Sequence, residues 1–524
     1  MRNNRRTLAR DLRVDVAEQA FAEVHPEHVN NGDENRYPNK IGSYSKGLPH
    51  EDNTASATFG EVDLDAYATL TRALTTGKAA DFESIMLAGP TKLVNPQAGL
   101  AFDLEGVDAQ AVTMPPAPRL DSPEAAGEIV ELYWMALARD ISFTEYATNS
   151  TVADAITELN NMPGFSARPV TVDNVFRGVT PGDRRGPYVS QFLLHPVQYG
   201  TFRLTQRQET KKPNTDYLLT ESDWVAIQNG AMRNPNPAAD RDSERRYMRN
   251  LRDLTHLVHF DALYQHFLNA CLILLDMDAP LDPGNPYVLS RTQEGFGTFG
   301  PPHVLTLVGE VATRALKAQW YQKWFVHRRL RPEAYGGLVH LTKNNPGRYP
   351  IPADVLSSQA LAETEAKLGT GIFLLPQAFP EGSPTHPAYG SGHATVAGAC
   401  ATVLKAWFDE SWPAFHRTAP MPPSVAGPAT SPEQRRAVVA DPNGTGLVAY
   451  TGKEALTVGD ELNKLSGNIG MARDAAGVHW RTDCTRAAEL GEQVAIRLLR
   501  EQKDTYNEDS SLVLTKFNGD TVTI

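Results

Sequence analysis

Basic residues and histidines lie close together in three separate segments of the sequence. The first segment, "KWFVHRRLRPEA", contains Lys323 and, eight residues later, Arg331. The residue before a proline is disfavoured in helical geometry, so Pro332 is expected to turn the chain at Arg331 and let both side chains reach one space. A lysine supplies a point charge and an arginine a planar pair of donors, and both suit an oxyanion.

The second segment, "SPTHPAYGSGHATVAG" at 383–398, places Ser391, Gly392 and His393 at the start of a predicted helix. The free N–H groups of a helix N-terminus favour an anion, and a glycine amide can be approached closely. His386 lies seven residues before His393. A Ser-Gly-His triplet alone is usually a turn with a helix cap, so this segment indicates a binding site only in combination with the other two.

The third segment, "RDAAGVHWRTDC", contains Arg473, His479 and Asp483. Asp483 follows His479 by about one helical turn, and it either orients that ring or simply serves as an acidic residue at a helix N-terminus. Three fixed positive charges, a hydroxyl, a backbone donor and two imidazoles are provided together by Lys323, Arg331, Arg473, Ser391, Gly392, His393 and His479. This set suits a tetrahedral dianion that has one histidine bonded to its central atom.

Two common motifs do not fit the sequence. The stretch "GTGLVAYTGKE" at 444–454 resembles a phosphate-binding loop, but Glu454 stands where a serine or threonine must contact magnesium. The stretch "AYGSG" at 388–392 has Tyr389 in the first glycine position of a nucleophile elbow, and little strand signal precedes it. The sequence therefore predicts an oxyanion pocket rather than a nucleotide site or a serine hydrolase.

The elements that must position these residues are predicted to be mainly α-helical. Ser122 is a plausible N-cap, and Pro123 suits the first turn of the helix that follows. Apolar residues recur at helical spacing over 62–76, 123–139, 151–160, 243–275, 303–325, 353–367, 392–409, 453–472 and 482–502. Strand-like alternation is limited to short pieces such as "SLVLTKF" near the C-terminus. Proline-rich connectors lie between helices at 112–123, 180–187, 232–238, 277–286 and 411–433.

Composition limits the class of protein. The 524 residues carry a net charge of −12, so no general basic surface is available and no nucleic-acid partner is expected. No apolar run approaches the roughly 20 residues of a membrane span, and the Arg-rich N-terminus lacks the apolar core of a signal peptide. We expect a soluble protein that is cytoplasmic by default. The three cysteines, Cys271, Cys400 and Cys484, are predicted to be small core residues.

The three segments, in this order, resemble the signature of the vanadium-dependent haloperoxidases. That family shares its active-site architecture with type 2 phosphatidic acid phosphatases and bacterial acid phosphatases. The eight-residue step from Lys323 to Arg331, and the extra His386, are similar to red-algal and cyanobacterial bromoperoxidases in particular. The resemblance extends over most of the chain, through "NKIGSYSKGLPH" (39–50), "ELYWMALARDISFTEY" (131–146) and "FGTFGPPHVLTL" (296–307). It implies a mainly α, helical-bundle haloperoxidase fold with long connecting loops and minor β structure.

The resemblance also implies a role for each pocket residue. His479 would be the metal ligand, bound to the vanadium of vanadate. His393 would be the acid–base group, and Asp261 is a candidate for orienting it. Lys323 would polarise peroxide while bromide, or chloride, attacks to give hypohalous acid, which halogenates small organic acceptors. The residues that would hold the remaining vanadate oxygens are Lys323, Arg331, Ser391, Gly392, His393 and Arg473.

Two residues are expected to bear on the choice of halide. Trp320 stands where red-algal bromoperoxidases typically carry arginine and fungal chloroperoxidases carry tryptophan. His386 follows the bromoperoxidase pattern, because the fungal enzymes have phenylalanine there. This hybrid pocket leads us to expect chloride oxidation beside bromide oxidation, with Trp320 forming a drier wall. The alternative is that Trp320 is a core residue of its helix.

The resemblance further predicts the domains and the assembly. Residues 1–60 are expected to form a polar arm that packs on a neighbouring subunit. Residues 61–524 would form the haloperoxidase domain, whose active-site segments are 320–332, 383–396 and 473–483. The related red-algal enzymes form large oligomers, so we expect at least a dimer, with a dodecamer as the larger assembly. Calcium is bound in some relatives, but its ligands cannot be placed in this sequence.

Two other functions compete with the haloperoxidase interpretation. A phosphatase could use the same pocket, with His479 as nucleophile and His393 as the acid for the leaving group. A helical protein with a dead site, whose arm mediates assembly, is the third interpretation. The presence of every pocket residue argues against this last one.

Overall fold

The chain is built mainly from α-helices. The computed structural model describes residues 4–420 and 434–524, so residues 1–3 of the predicted arm and most of the predicted connector 411–433 lie outside the described ranges. Within those ranges the helices are α1 (Arg5–Ala22), α2 (Asp33–Arg36), α3 (Leu64–Thr76), α4 (Ala79–Glu83), α5 (Pro123–Leu137), α6 (Ser150–Asn161), α7 (Glu221–Gln228), α8 (Leu251–Phe260), α9 (Gln265–Asp276), α10 (Pro301–Tyr321), α11 (Pro332–Asn344), α12 (Ala353–Leu356), α13 (Gln359–Leu368), α14 (Gly392–Trp407), α15 (Val458–Ala475) and α16 (Arg481–Lys503).

The β structure of the described residues consists of three separate antiparallel hairpins. Each pairs two strands of three residues: β1 (Val197–Tyr199) with β2 (Phe202–Leu204), β3 (Val438–Ala440) with β4 (Leu447–Ala449), and β5 (Val513–Thr515) with β6 (Thr521–Thr523). Strand β5 lies within the predicted "SLVLTKF" stretch. The mainly α fold class with minor β structure is therefore confirmed.

Local sequence signals place several helix ends correctly. The side chain of Ser122 accepts a hydrogen bond from the Ala125 N–H at the start of α5, as its N-cap position predicts. The single helix predicted over 243–275 is wrong, because the chain turns extended at Asp261 (φ −71°, ψ 151°) and α9 begins only at Gln265. The helix predicted over 353–367 is also interrupted, since Ser358 caps a new helix, α13.

Helix α14 forms the centre of the helical packing. It packs against α16, α10 and α15, and each of its residues except His393 is buried. Its close approach to α16 depends on two glycines, because a Cβ on Gly398 would lie 2.2 Å from the Ala488 carbonyl oxygen and one on Gly491 would lie 2.0 Å from that of Thr395. The start of α14 is thereby held rigidly beside the start of α16.

The segment between α10 and α11 changes backbone geometry three times. After α10 the chain forms a π-helical turn over Gln322–His327, passes through a left-handed residue at Arg328 (φ 42°), and extends to Arg331. Arg331 is the N-cap of α11 and Pro332 its first residue, so the turn expected at this proline is confirmed. Helix α11 itself was not predicted.

The N-terminal 60 residues divide into two parts. Helix α1, which was not predicted, contains no buried residue, and Leu8, Val14 and Phe21 are exposed on it. The later segment packs on its own chain, where Tyr44 and Leu48 are buried. No helix among the described residues is long and apolar enough to cross a membrane. All three cysteines are buried and unpaired, as predicted.

Candidate active site

Arg331 is the residue around which the three predicted segments meet. Its Nε donates to the His386 carbonyl oxygen at 2.8 Å, and Nη2 donates to the His386 ring at 2.8 Å. Its Nη1 donates to the Val478 carbonyl oxygen at 2.8 Å and to His479 Nε2 at 3.0 Å. One buried guanidinium thus joins the segment after α10 to the two loops that carry the predicted histidines.

The contacts of His479 fix the position of its ring proton. A guanidinium can only donate, so His479 Nε2 must accept from Arg331 with an unprotonated lone pair. The proton therefore sits on Nδ1, which donates to Asp483 Oδ2 at 3.0 Å. Burial and then the charges of Arg331 and Lys323 lower the pKa of His479 well below its usual value, so the ring is neutral. Nε2 is thus available as a ligand atom.

Asp483 both caps the start of α16 and orients the His479 ring. Besides accepting from His479, Oδ2 accepts from the Trp480 backbone N–H at 3.0 Å in a capping box at the start of α16. The same carboxylate that caps the helix therefore also orients the histidine.

Lys323 points its ammonium group at the loop before α14. Its Nζ donates to the carbonyl oxygens of Pro387 at 2.9 Å and Ala388 at 3.1 Å. An ammonium has three N–H donors, so one is left for a ligand. Lys323 is fully buried, and this burial, followed by the charge of Arg331, lowers its pKa well below the usual range.

Arg473, in the last turn of α15, completes the set of cations. Its Nη1 donates to the Val258 carbonyl oxygen at 2.8 Å, and its guanidinium lies 5.2 Å from the Phe379 ring centre. Its Nε is buried without a hydrogen-bond partner among the described residues. Its charge acts on both Lys323 and Arg331, whose pKa values fall mainly through burial, that of Arg331 to about 10.

Among the described residues, these three cations form no ion pair with a carboxylate. In residues 4–420 and 434–524, no carboxylate oxygen lies within 4.0 Å of the charged nitrogens of Lys323, Arg331 or Arg473. Buried charges are expensive unless they are paired. A bound dianion would supply the missing charge, so the donor set fits vanadate or phosphate.

Ser391 and Gly392 provide neutral donors at the start of α14. Ser391 is the N-cap, and its Oγ accepts from the Ala394 N–H at 3.3 Å, which leaves the hydroxyl hydrogen free to donate. Gly392 is the first helical residue, where an amide has no acceptor within its own helix. A Cβ on Gly392 would lie 3.0 Å from the Trp320 ring, so the glycine also lets that indole pack against the site.

His393 is partly accessible to solvent, with 15% of its side chain exposed. Its Nε2 donates to Asp261 Oδ1 at 3.0 Å, which leaves Nδ1 as the nitrogen that can exchange a proton. Asp261 is the residue at which α8 ends, and its Oδ2 lies 3.3 Å from the ring of His266. Burial alone would raise the pKa of Asp261, but the two histidines lower it overall, so the carboxylate is charged.

Trp320 and His386 lie side by side in the wall of the pocket. Their ring centres are 4.9 Å apart, and the Lys323 ammonium lies 5.6 Å from the Trp320 ring centre. The indole N–H donates to the Val94 carbonyl oxygen at 3.1 Å. Trp320 is half-buried on α10, so it belongs both to the edge of the core and to the site.

Several residues that support the site were not predicted from the sequence. Lys46 forms a buried ion pair with Glu333 at 2.7 Å, and Glu333 accepts from the backbone N–H of Ser383 at 2.6 Å. The N-terminal segment therefore anchors the loop that carries His386. Lys46 lies inside "NKIGSYSKGLPH", so its segment was noted, but no spacing rule linked it to the pocket.

No calcium site is assigned. Among the described residues, no group of three or more His, Cys, Asp or Glu side chains is arranged to hold a metal ion. The pocket around His479 is different in kind, because it would bind an oxyanion mainly through hydrogen-bond donors.

The sequence and the fold are similar to those of known proteins. Residues 374–508 match the family described as the VCPO second helical-bundle domain. The vanadium-dependent bromoperoxidase of Corallina officinalis is 37% identical over 98% of this chain and 97% of its own. The vanadium-dependent bromoperoxidase of Ascophyllum nodosum is 34% identical over 94% of this chain and 87% of its own. The solved structure of a second vanadate-dependent bromoperoxidase of Ascophyllum nodosum, described as homohexameric, is 30% identical and matches with a TM-score of 0.89 over 100% of this chain and 90% of that chain.

Proposed function

We infer the roles of the pocket residues from the premise that the chain belongs to the vanadium-dependent bromoperoxidase family. It is an enzyme that uses vanadate to oxidise halide ions with hydrogen peroxide, which gives hypohalous acid and halogenated organic products. Nothing in the comparisons favours the phosphatase alternative.

One observation supports the residue assignments best: three buried cations form no ion pair with a carboxylate among the described residues. We propose that vanadate would be held through its oxygens by Lys323, Arg331 and Arg473, together with the Ser391 hydroxyl and the Gly392 amide. Nε2 of His479 is the ligand atom, because it carries a lone pair and faces the same space as Arg331. When bound, vanadate supplies a pentavalent Lewis acid that activates hydrogen peroxide toward halide.

Proton transfer is the task we assign to His393. Hydrogen peroxide, halide and one proton give hypohalous acid and water, so each turnover consumes a proton. His393 is partly exposed, as resupply of that proton requires, and Asp261 engages its Nε2, which leaves Nδ1 for proton transfer. Lys323 keeps one N–H free, and we propose that it stabilises negative charge on the oxygen that halide attacks.

A reconstitution experiment tests this function directly. The purified protein is freed of vanadate in phosphate-free buffer, then titrated with orthovanadate while bromide oxidation is followed with hydrogen peroxide. We expect activity to rise from zero to a plateau with the vanadate concentration. A vanadate-free protein that hydrolyses phosphomonoesters rapidly, and gains no bromide oxidation on reconstitution, would instead be a phosphatase.

We propose that Trp320 and His386 tune the choice of halide. Chloride is more strongly hydrated than bromide, so a dry wall beside the pocket should help chloride more. Replacing Trp320 with arginine should lower the ratio of chloride to bromide oxidation about tenfold, which corresponds to roughly 1.4 kcal/mol. Phenylalanine at the same position keeps the apolar wall and should keep the ratio. Equal losses for both halides in Trp320→Arg, or no chloride oxidation by the unmodified protein at mildly acidic pH, would contradict this assignment.

The protein forms a homo-oligomer, and we propose that helix α1 joins its subunits into at least dimers, from which a dodecamer could be built. Helix α1 has no fully buried residue and exposes Leu8 and Phe21, so a partner would supply the missing apolar contact. Deleting residues 1–22 should shift the mass in solution to a smaller species by light scattering, while vanadate binding persists. The substitution Glu18→Gln, a polar change on α1, should leave the mass unchanged. An unchanged mass after the deletion would rule out this role for α1.

A further inference from the structure

Arg329 lies two residues before Arg331 and contacts a different set of groups. Its Nη1 donates to Asp483 Oδ1 at 2.8 Å and to the Thr482 hydroxyl at 2.9 Å. Its Nη2 donates to Glu128 Oε2 at 2.8 Å. The guanidinium also lies 4.5 Å from the centre of the Trp480 ring. Arg329 is buried, so these contacts are shielded from water, and none of the roles assigned above uses it.

Glu128, on α5, contacts both Arg329 and the first turn of α16. Its Oε1 accepts from the backbone N–H of Thr482 at 2.7 Å, in the first turn of α16, while Oε2 accepts from Arg329. Glu128 is 2% exposed. One carboxylate therefore holds both the arginine and the turn of helix that carries Asp483.

Both oxygens of the Asp483 carboxylate accept hydrogen bonds. Oδ1 accepts from Arg329, and Oδ2 accepts from His479 Nδ1 and from the Trp480 N–H. Without Arg329, the Asp483 carboxylate would be buried beside a neutral imidazole with no charged partner, which is an expensive arrangement. The carboxylate would then lose the contact that fixes its orientation, and its rotation would release the His479 ring.

We propose that Arg329 and Glu128 are positioning residues for the cofactor, which act through Asp483 to hold His479 with Nε2 directed at vanadate. This inference rests on the proposed function of the pocket. It adds two residues, from α5 and from the segment before α11, that touch neither the cofactor nor the substrates. Groups that hold a metal ligand from behind typically change metal affinity about 10–100-fold when they are removed.

The test measures vanadate binding by the full-length oligomer, independently of turnover. In Arg329→Met we expect the Kd for orthovanadate, measured by equilibrium dialysis, to rise about 10–100-fold. The ⁵¹V NMR signal of the bound ion should move, because the histidine no longer binds in the same orientation. Arg329→Lys keeps a positive charge beside Asp483 and should restore part of the affinity.

Arg328→Met is the matched control. Arg328 is the adjacent residue and forms a partly buried ion pair with Glu34, but among the described residues it makes no hydrogen bond or ion pair with Asp483. Its loss should leave both the Kd and the ⁵¹V signal unchanged. If Arg329→Met does not fold, Glu128→Gln takes its place, since glutamine can still accept from the Thr482 N–H but weakens the pairing with Arg329.

One outcome would contradict this inference, and a different one would contradict the proposed function. A variant at Arg329 or Glu128 that melts at a lower temperature, yet binds vanadate with the Kd and ⁵¹V signal of the unmodified protein, would show a purely structural role and overturn this inference. If the unmodified protein itself does not bind vanadate, the proposed function fails first.

Discussion

Replacing His479 with alanine should greatly weaken vanadate binding and lower bromide oxidation about 10²–10³-fold, the size of effect that the loss of one oxyanion-stabilising group has elsewhere. The neutral ring of His479 presents a nitrogen lone pair to Arg331, and its proton is already committed to Asp483. The cations alone would still attract vanadate, but without a bond to vanadium they would hold it loosely. Equilibrium dialysis with orthovanadate and a bromide oxidation assay measure the two effects separately.

A buried histidine elsewhere in the chain provides the control for this variant. His195 is fully buried, and neither of its ring nitrogens has a hydrogen-bond partner among the described residues. His195→Leu should therefore change the melting temperature while leaving the Kd for vanadate as it was. Normal vanadate binding by His479→Ala would show that another atom is the ligand.

Replacing His393 with alanine should separate binding from turnover. Vanadate should still bind, because the ligand atom and the three cations remain, whereas kcat for bromide oxidation should fall about 10²–10⁴-fold through the loss of the proton-transfer group. The reaction consumes a proton, and His393 is the pocket histidine with an exposed side chain. The limb of the pH profile of kcat that reports this histidine should disappear in the variant.

Asp261→Asn gives a graded version of the same test. The asparagine oxygen can still accept from His393 Nε2, but it no longer stabilises a charged ring, so we expect a loss of about 10–100-fold in kcat. His416→Ala, at a half-exposed histidine that contacts Thr418, should leave kcat and the pH profile unchanged. A His393→Ala enzyme with a normal pH profile would assign the proton transfer to another group.

The turn at Arg331 and the start of α14 could be predicted from the sequence, because each has a local signal. Pro332 marked the turn at Arg331, and the Ser-Gly pair marked the start of α14. Each of these signals depends only on residues that are adjacent in the chain. The prediction of one helix over 243–275 was wrong at Asp261, because the break there has no signal in the adjacent residues. This break serves a contact with His393, which lies 132 residues further on and has no local signature.

The supporting groups could not be predicted for the same physical reason. Lys46 meets Glu333 and the loop at Ser383 only after the N-terminal segment has packed on α11, and Glu128 meets Arg329 across 201 residues. Periodicity identifies Glu128 as a residue of α5, and it assigns a charged residue to the surface by default. Only the packing of α5 against the start of α16 shows that this carboxylate is buried and paired.

The burial of all three thiols has a consequence for an enzyme that releases a strong oxidant. Hypohalous acid attacks thiols faster than most other side chains, but Cys271, Cys400 and Cys484 are closed off from solvent and have raised pKa values through burial, which removes the reactive thiolate. Among the described residues, Met86 and Met232 have exposed thioethers, so these sulfur atoms are open to the product. Their oxidation to sulfoxides would occur away from the core.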